Sequence, residues 1–350
     1  MKILSFILIF FILIASIHAQ TKYLIYFKDK GVSLSSSLQK SSSLFKIAEK
    51  ELAPKAIERR KQVMGEDNYI TYEDLPINQE YIDKLQSLGI KIENKLKWFN
   101  AVSSYLTQDQ LDALRNLPFI EKIERIKVFK YKNDESSITT EPPQSIPNNS
   151  LKKNNSLNYG SSLTQNALSD IPTVHDLGIN GTGVYIGILD DGFSPNNYNA
   201  LKTRVVLQQH DYVHHRNYVS NQWGTDGFIG HGSNVFCLMA GYDPGYAIGP
   251  AYGAHFFLAE TEYDSTETHV EEDNYAAALQ DMEAAGVDIT SSSLGYSIFD
   301  PGQVSYTYAD MNGNTTIVAK AANLAFQRGV TSFTAAGNDG PSFWGTGNGG

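Results

Sequence analysis

Cysteine is almost absent from this 350-residue chain: Cys237 is the only one. A single thiol closes no internal disulfide and excludes four-cysteine zinc or redox frameworks. Proline is scarce too, 12 in all, and with 11% aromatic residues the chain is neither collagen-like nor wholly disordered. Basic residues are nearly missing from the second half. Residues 159–350 hold 5 basic against 20 acidic residues, a net of −15, whereas 20–135 hold 20 against 17, a net of +3. The overall −10 makes nucleic acid an unsuitable partner, because phosphate binding draws on Lys and Arg. Glycine breaks at the same place: 3 lie between 20 and 135, and 25 of the 28 lie after 158. No internal repeat is present. A chain of this length has room for two domains, and the compositional break separates them.

The long apolar run is at the start. Lys2 precedes Ile3 to Ile17, interrupted only by Ser5 and Ser16. That is short of the roughly 20 residues of a membrane-spanning helix, and it reads as a signal peptide over 1–19, cut between Ala19 and Gln20. The expectation is an exported protein, secreted or periplasmic, with no membrane span.

Residues 20–135 read as a small α/β unit. Tyr23 to Phe27 is a short strand ending in a Lys28-Asp29-Lys30-Gly31 turn. Thr107 and Gln110 form a capping box for a helix carrying Leu111, Leu114 and Leu117, with Leu106 as staple and Pro118 as stop. Trp98–Tyr105 and Phe119–Phe129 on either side are strand-like. Residues 136–158, rich in Ser, Asn and Pro, are a linker and a natural processing site.

From Tyr159 onward strands and helices alternate. Val184–Leu189 is a continuous apolar run, as in a parallel strand covered on both faces. A buried helix is expected over Val235–Ala240, helices over Glu271–Ala285 and Ile317–Arg328, and strands from Val287 and over Val330–Ala336. This pattern predicts a doubly wound α/β sheet.

Four short motifs carry chemistry. Asp190 follows the first strand, where α/β enzymes place their sites, although such an aspartate also serves as a turn or cap. His231 opens a helix in His231-Gly232-Ser233; the dipole there disfavours the imidazolium, leaving a neutral general base. Ser293-Leu294-Gly295 follows another strand and offers an exposed backbone edge to an extended peptide. Asn338, in Ala336-Gly337-Asn338, offers an uncharged amide donor for an oxyanion; its plain alternative is a turn.

In this order the motifs resemble the subtilisin-like serine proteases (subtilases, peptidase S8), whose triad runs Asp, His, Ser along the chain. Gly181-Thr182-Gly183-Val184 looks like that family's approach to its first strand, and 20–135 resembles its inhibitor-type propeptide. The resemblance implies an incomplete doubly wound catalytic domain over 159–350 preceded by a ferredoxin-like α+β propeptide. It implies Asp190 as triad acid, His231 as general base and Asn338 as oxyanion donor. Ser293, Leu294 and Gly295 are implied as the substrate strand, with Ala336 and Gly337 near the specificity pocket. Peptide substrates and the chain's own propeptide, as inhibitor and folding aid, are the implied partners.

The chain departs from the family in three places. Asp191 stands where the family has Ser or Thr, Asn234 where a second histidine is common, and no Gly-Thr-Ser nucleophile motif is present; Ser342 lies too close to Asn338 to serve. The expectation is a precursor truncated before its nucleophile and inactive by itself. The rivals are a catalytically dead binding protein on the same fold, or 20–135 acting mainly as an inhibitor. No cofactor is expected for the chemistry. His210, His214 and His215 lack zinc spacing. The acids Glu260, Glu262, Asp264, Glu271, Glu272 and Asp273 read as solvated surface, with structural calcium left open. Cys237 reads as a buried small hydrophobe.

Overall fold

The computed structural model describes residues 21–32, 38–126, 156–219, 230–262, 270–295 and 306–335. The expected signal peptide, most of the linker, and Ala336, Gly337 and Asn338 lie outside them.

The first stretch runs β1 (Thr21–Phe27), α1 (Ser43–Lys50), α2 (Pro54–Met64), α3 (Gln79–Ser87), β2 (Lys95–Leu96), β3 (Ala101–Leu106), α4 (Gln108–Arg115) and β4 (Ile120–Arg125). The sheet order is β2-β3-β1-β4, with β1 antiparallel to both neighbours. This is the ferredoxin-like arrangement, with the helical pair α1–α2 inserted before α3. The period of two along β1 divides its side chains between two cores. Ile25 and Phe27 pack with Ile82, Leu85, Leu111 and Leu114. Leu24, on the opposite face, joins a core that includes Leu96, Trp98, Tyr275 and Leu279. The Thr107–Gln110 capping box forms as expected, but the helix closes at Arg115, before Pro118.

The second stretch runs α5 (Leu163–Ala167), α6 (Ile171–Asp176), β5 (Tyr185–Asp190), β6 (Val205–Asp211), α7 (His231–Ala240), β7 (Tyr242–Asp243), β8 (Ala247–Ile248), β9 (His255–Glu260), α8 (Val270–Ala284), β10 (Ile289–Ser292), α9 (Ile317–Gln327) and β11 (Thr331–Thr334). A five-stranded sheet has the order β11-β10-β5-β9-β6, with every pair parallel. The chain winds from β5 through β6 to β9, then crosses to the other side of β5 for β10 and β11. The carboxyl end of β5 therefore lies where the winding reverses, the usual place for a site on such a sheet.

Helices α8 and α9 lie between the parallel sheet and the first stretch. Residues of α8 and α9 pack with Leu24, Leu96, Trp98 and Ala101 on one side and with Leu189, Phe257 and Ala259 on the other. The two stretches thus share a core.

Candidate active site

Strand β5 ends on Asp190, which is fully buried, and helix α7 starts on His231, whose side chain is about half exposed. His231 Nδ1 lies 2.8 Å from Asp190 Oδ1. With an ionised Asp190 the proton of that bond belongs to Nδ1, which leaves Nε2 as the acceptor nitrogen. Three short-range features bring strand and helix together. Asp191 accepts from the backbone of α7's first turn, Oδ2 from His231 N at 3.1 Å and Oδ1 from Gly232 N at 2.8 Å. Gly232 has no room for a side chain, since a Cβ would stand 2.5 Å from Gly192 O and 2.9 Å from Asp190 Cβ. Ser233 Oγ accepts from Ser194 N at 2.6 Å and ties the turn after β5 to the same helix.

Burial by itself pushes the His231 imidazole down. The bond to Asp190 and the charges of Asp190 and Asp191 more than reverse that, and the pKa is raised above 6.5. The net shift thus runs opposite to the helix-dipole expectation of a depressed imidazole, because two carboxylates face the ring. Asp190 Oδ1 also accepts from Asp191 N at 2.9 Å, while Oδ2 is buried and has no hydrogen-bond partner among the described residues.

The remaining expected residues are distributed as follows. Ser293, Leu294 and Gly295 continue β10 at the carboxyl edge of the sheet, beside the end of β5, because Ser292 is in register with Leu189. Ser293 and Leu294 are half-buried and Gly295 is exposed. Strand β11 reaches the same edge, with Ala335 N donating to Ser292 O at 2.9 Å. Asn234 sits on the outer side of α7, accepting from Tyr198 Oη at 3.1 Å. Cys237 is half-buried rather than buried, at the rim of the core under α7.

The three histidines separate. His210 Nδ1 bonds Asn217 Oδ1 at 2.9 Å, and His215 Nε2 reaches Glu93 Oε2 of the first stretch at 2.6 Å. His214 joins Asp211 and Glu260 in a group with ligand-type atoms within 4.8 Å of one another, as do Asp190, Asp191 and His231. Neither group suits calcium, which takes six to eight oxygens. Each includes an imidazole, and Asp211 is already engaged, Oδ2 by Arg216 at 2.5 and 2.8 Å and Oδ1 by Val213 N and His214 N.

The acids at the start of α8 are not solvated, contrary to the sequence expectation: Glu271, Glu272 and Asp273 are buried, as is Glu260. The first stretch covers α8 and supplies partners that sequence spacing does not reveal. Lys22 Nζ stands 2.8 Å from Asp273 Oδ1, and Asn94 Nδ2 donates to Asp273 Oδ2 at 2.7 Å. Tyr306 Oη donates to Glu272 at 3.0 Å. Further along α8, Gln280 Oε1 accepts from Trp98 N at 3.3 Å.

A buried aspartate at the end of a central parallel strand thus lies beside an exposed histidine at a helix start, on a sheet of the subtilisin-like class. The sequence comparisons agree with that class. Residues 22–145 match the peptidase S8 propeptide domain of Bacteroidota, and residues 181–349 match the subtilase family. The chain carries a subtilase-family domain and, at its amino-terminal side, an S8 propeptide domain. Among solved structures it is similar to fervidolysin from Fervidobacterium pennivorans, a keratinolytic enzyme related to subtilisin, with 16% identity and a TM-score of 0.52 over 92% of this chain and 40% of that one. It is also similar to the epidermin leader peptide processing serine protease of Staphylococcus aureus, with 14% identity and a TM-score of 0.51 over 92% of this chain and 61% of that one. At these identities the likeness concerns the fold. The chain spans between two fifths and three fifths of the length of these relatives. No curated protein matches the sequence.

Proposed function

We propose that this chain is the precursor form of an exported subtilisin-like serine endopeptidase, with residues 20–135 as prodomain, 136–158 as the processing linker and 159–350 as catalytic sequence. The observation that carries the reading is the 2.8 Å contact between His231 Nδ1 and the buried Asp190 carboxylate. In this reaction His231 accepts a serine hydroxyl proton at Nε2, and Asp190 holds the ring and stabilises the imidazolium. The serine belongs to a Gly-Thr-Ser motif that the 350 residues do not contain, so they are inactive by themselves. Asn338 is assigned as oxyanion donor, Ser293, Leu294 and Gly295 as the strand that pairs with substrate backbone, and Ala336 and Gly337 as pocket residues. The apolar start over 1–19 supports export, and among the described residues no helix is long and apolar enough to cross a membrane.

The prodomain role is supported by its shared core with α8 and α9 and by the Lys22–Asp273 pair. The basic prodomain and acidic catalytic sequence attract one another, which orients docking. No calcium step enters the mechanism.

The test is to express the whole open reading frame and label it with a fluorophosphonate. Labelling of a serine, lost in His231→Ala, supports the reading. A reading frame that ends at codon 350, or full labelling of the substituted protein, overturns it in favour of a binding protein on this fold.

A further inference from the structure

Helix α2 makes a contact that neither the catalytic pair nor the sheet-on-helix packing requires. It lies over the two turns that lead from α8 into β10 and from α9 into β11. These turns are at the amino end of the parallel strands, opposite the end that carries Asp190 and His231. The approach is close: a Cβ on Gly286 would stand 2.9 Å from Lys55 Cβ, and one on Gly329 would stand 3.0 Å from Arg59 Cγ. Both glycines have positive φ, +96° and +87°, so the turns accept α2 only as glycine turns.

Two consecutive arginines of α2 enter this seat. Arg59 donates to Glu283 Oε1 at 2.5 Å and to three backbone carbonyls: Glu283 at 2.9 Å, Val287 at 2.7 Å and Arg328 at 3.0 Å. Arg60 forks onto both oxygens of Glu283 and also meets Asp74, with Nη2 to Oδ1 at 3.1 Å. Asp74 in turn receives Arg328 Nε at 3.2 Å, and Arg328 Nη2 donates to Thr71 Oγ1 at 2.8 Å. Arg60, Glu283, Asp74 and Arg328 are all at most 2% exposed, and the side chain of Arg59 is 9% exposed. At the edge Lys55 pairs with Asp288 at 3.0 Å, and Ala53 N donates to Ala284 O at 2.8 Å.

We propose that Glu283, Arg328 and the carbonyl of Val287 form a docking site on the catalytic unit that reads a helix bearing two adjacent arginines, with the α1–α2 insert of the chain's own prodomain as its partner. The site is separate from the catalytic edge of the sheet. The inference rests on the reading of 20–135 as a prodomain that is cut from the rest. The chemistry is selective. A buried carboxylate and three carbonyls that accept from one side chain require several cationic donors in one rigid fork, which arginine provides and lysine does not. Arg328 and Asp74 add the opposite polarity, so a partner must bring both the arginine pair and a carboxylate at the right spacing.

The experiment uses the whole chain with a specific protease site placed in the linker between 140 and 150, cut after folding, and reads how fast the two pieces separate on dilution. Losing one member of a buried ion cluster leaves the other uncompensated. Arg60→Gln and Glu283→Gln are therefore each expected to speed separation by at least about 100-fold, and Arg60→Met with Glu283→Met by less than the product of the single effects. Arg59→Lys should also separate faster, because the fork is lost. Separation rates equal to wild type in all of these variants overturn the proposal. Where a variant does not fold, hydrogen exchange on the cut wild-type chain decides. Protection of amides 284–289 and 327–331 that is lost when the prodomain leaves supports the site, and unchanged exchange there overturns it. Because neither readout needs peptide hydrolysis, failure here leaves the endopeptidase reading intact. Failed fluorophosphonate labelling likewise leaves the docking site intact.

Discussion

Asp191 and His231 are joined through backbone rather than side chain: the Asp191 carboxylate accepts from His231 N and Gly232 N, at 3.1 and 2.8 Å. Neighbouring aspartates therefore divide the work at this site. Asp190 holds the imidazole and Asp191 holds the helix that presents it. Asp191, a departure from the family's motif in the sequence, acts here as a helix cap supplied from another element.

Removing that cap has two separable effects. Asp191→Ala should cost about 1–2 kcal/mol of stability, as loss of an N-cap does, read by chemical denaturation of the 350-residue chain. Asp191→Asn retains an acceptor but loses the charge, so the His231 imidazole should titrate lower than in wild type. An unchanged His231 titration in Asp191→Asn, followed by NMR, contradicts the electrostatic role.

The Asp190–His231 pair sets a pH direction. The folded pKa of His231 is raised above 6.5. Stability from the His231 shift is therefore fully present below the unfolded value and lost as pH rises through the folded one, and Asp190, raised to about 7 by burial, acts in the same direction. Asp190→Asn should weaken this dependence and drop the imidazole below wild type, since the charge of Asp191 alone then opposes burial. In a full-length active enzyme the acidic limb of kcat/KM should lie above pH 6.5, because the base must be neutral.

Gly232→Ala tests the close approach of helix and strand. Its Cβ would fall 2.5 Å from a backbone oxygen, which cannot be relieved by turning a side chain. A loss of about 1–3 kcal/mol is expected, the usual cost of overpacking. The low-field Nδ1 proton of His231 should weaken. A wild-type melting temperature together with an unaltered proton signal would show that α7 is not fixed as described.

Lys22→Met strands Asp273 beneath the prodomain with Asn94 as its one remaining donor among the described residues. About 3 kcal/mol of destabilisation is expected from breaking a buried pair, and Lys22→Met combined with Asp273→Leu should cost less than the two singly. Additive losses in denaturant titrations would show that the two side chains do not interact.

Asp74 gives the α2 contact its acid limit. Burial pushes its carboxyl up, but Arg60 and Arg328 draw it down to about 2. A depressed carboxyl stabilises above its unfolded value, 3.8, and the contribution fades as pH falls toward 2. Protection of α2 amides should therefore persist at pH 4 and fail near pH 2. Loss of protection already at pH 5 would contradict the assigned charge state.

Local signals were readable in the sequence wherever one element decides its own conformation. The Thr107–Gln110 capping box, the apolar β5 strand and α9 form near their expected bounds, and the helix expected over Val235–Ala240 starts four residues earlier, at His231. So was the chain order that pairs Asp190 with His231. Contacts between elements distant in sequence were not readable. Glu271, Glu272 and Asp273 look like exposed helix-start acids because the partner of Asp273, Lys22, lies 251 residues away. Helix α2 is not legible because it is strongly polar, and its arginines are buried against Glu283, Asp74 and backbone carbonyls such as Val287 and Arg328. The direction of the His231 shift failed for a similar reason, since a dipole argument from one helix omits the carboxylates that β5 delivers to it.

The strand order carries a kinetic consequence. β5 pairs with β10 about a hundred residues later, Ile186 beside Ile289, and β10 with β11, Ile289 beside Thr331. Parallel pairings between such distant segments close large loops before they return any contact energy, and chains of this kind fold slowly. The amino-terminal unit leaves the ribosome first, and its own pairings, Ile25 beside Ile123 among them, close loops of similar length. The core that it shares with α8 and α9 joins the two units. Under the proposed prodomain reading, residues 156–350 are expected to refold more slowly without 20–135 than within the whole chain.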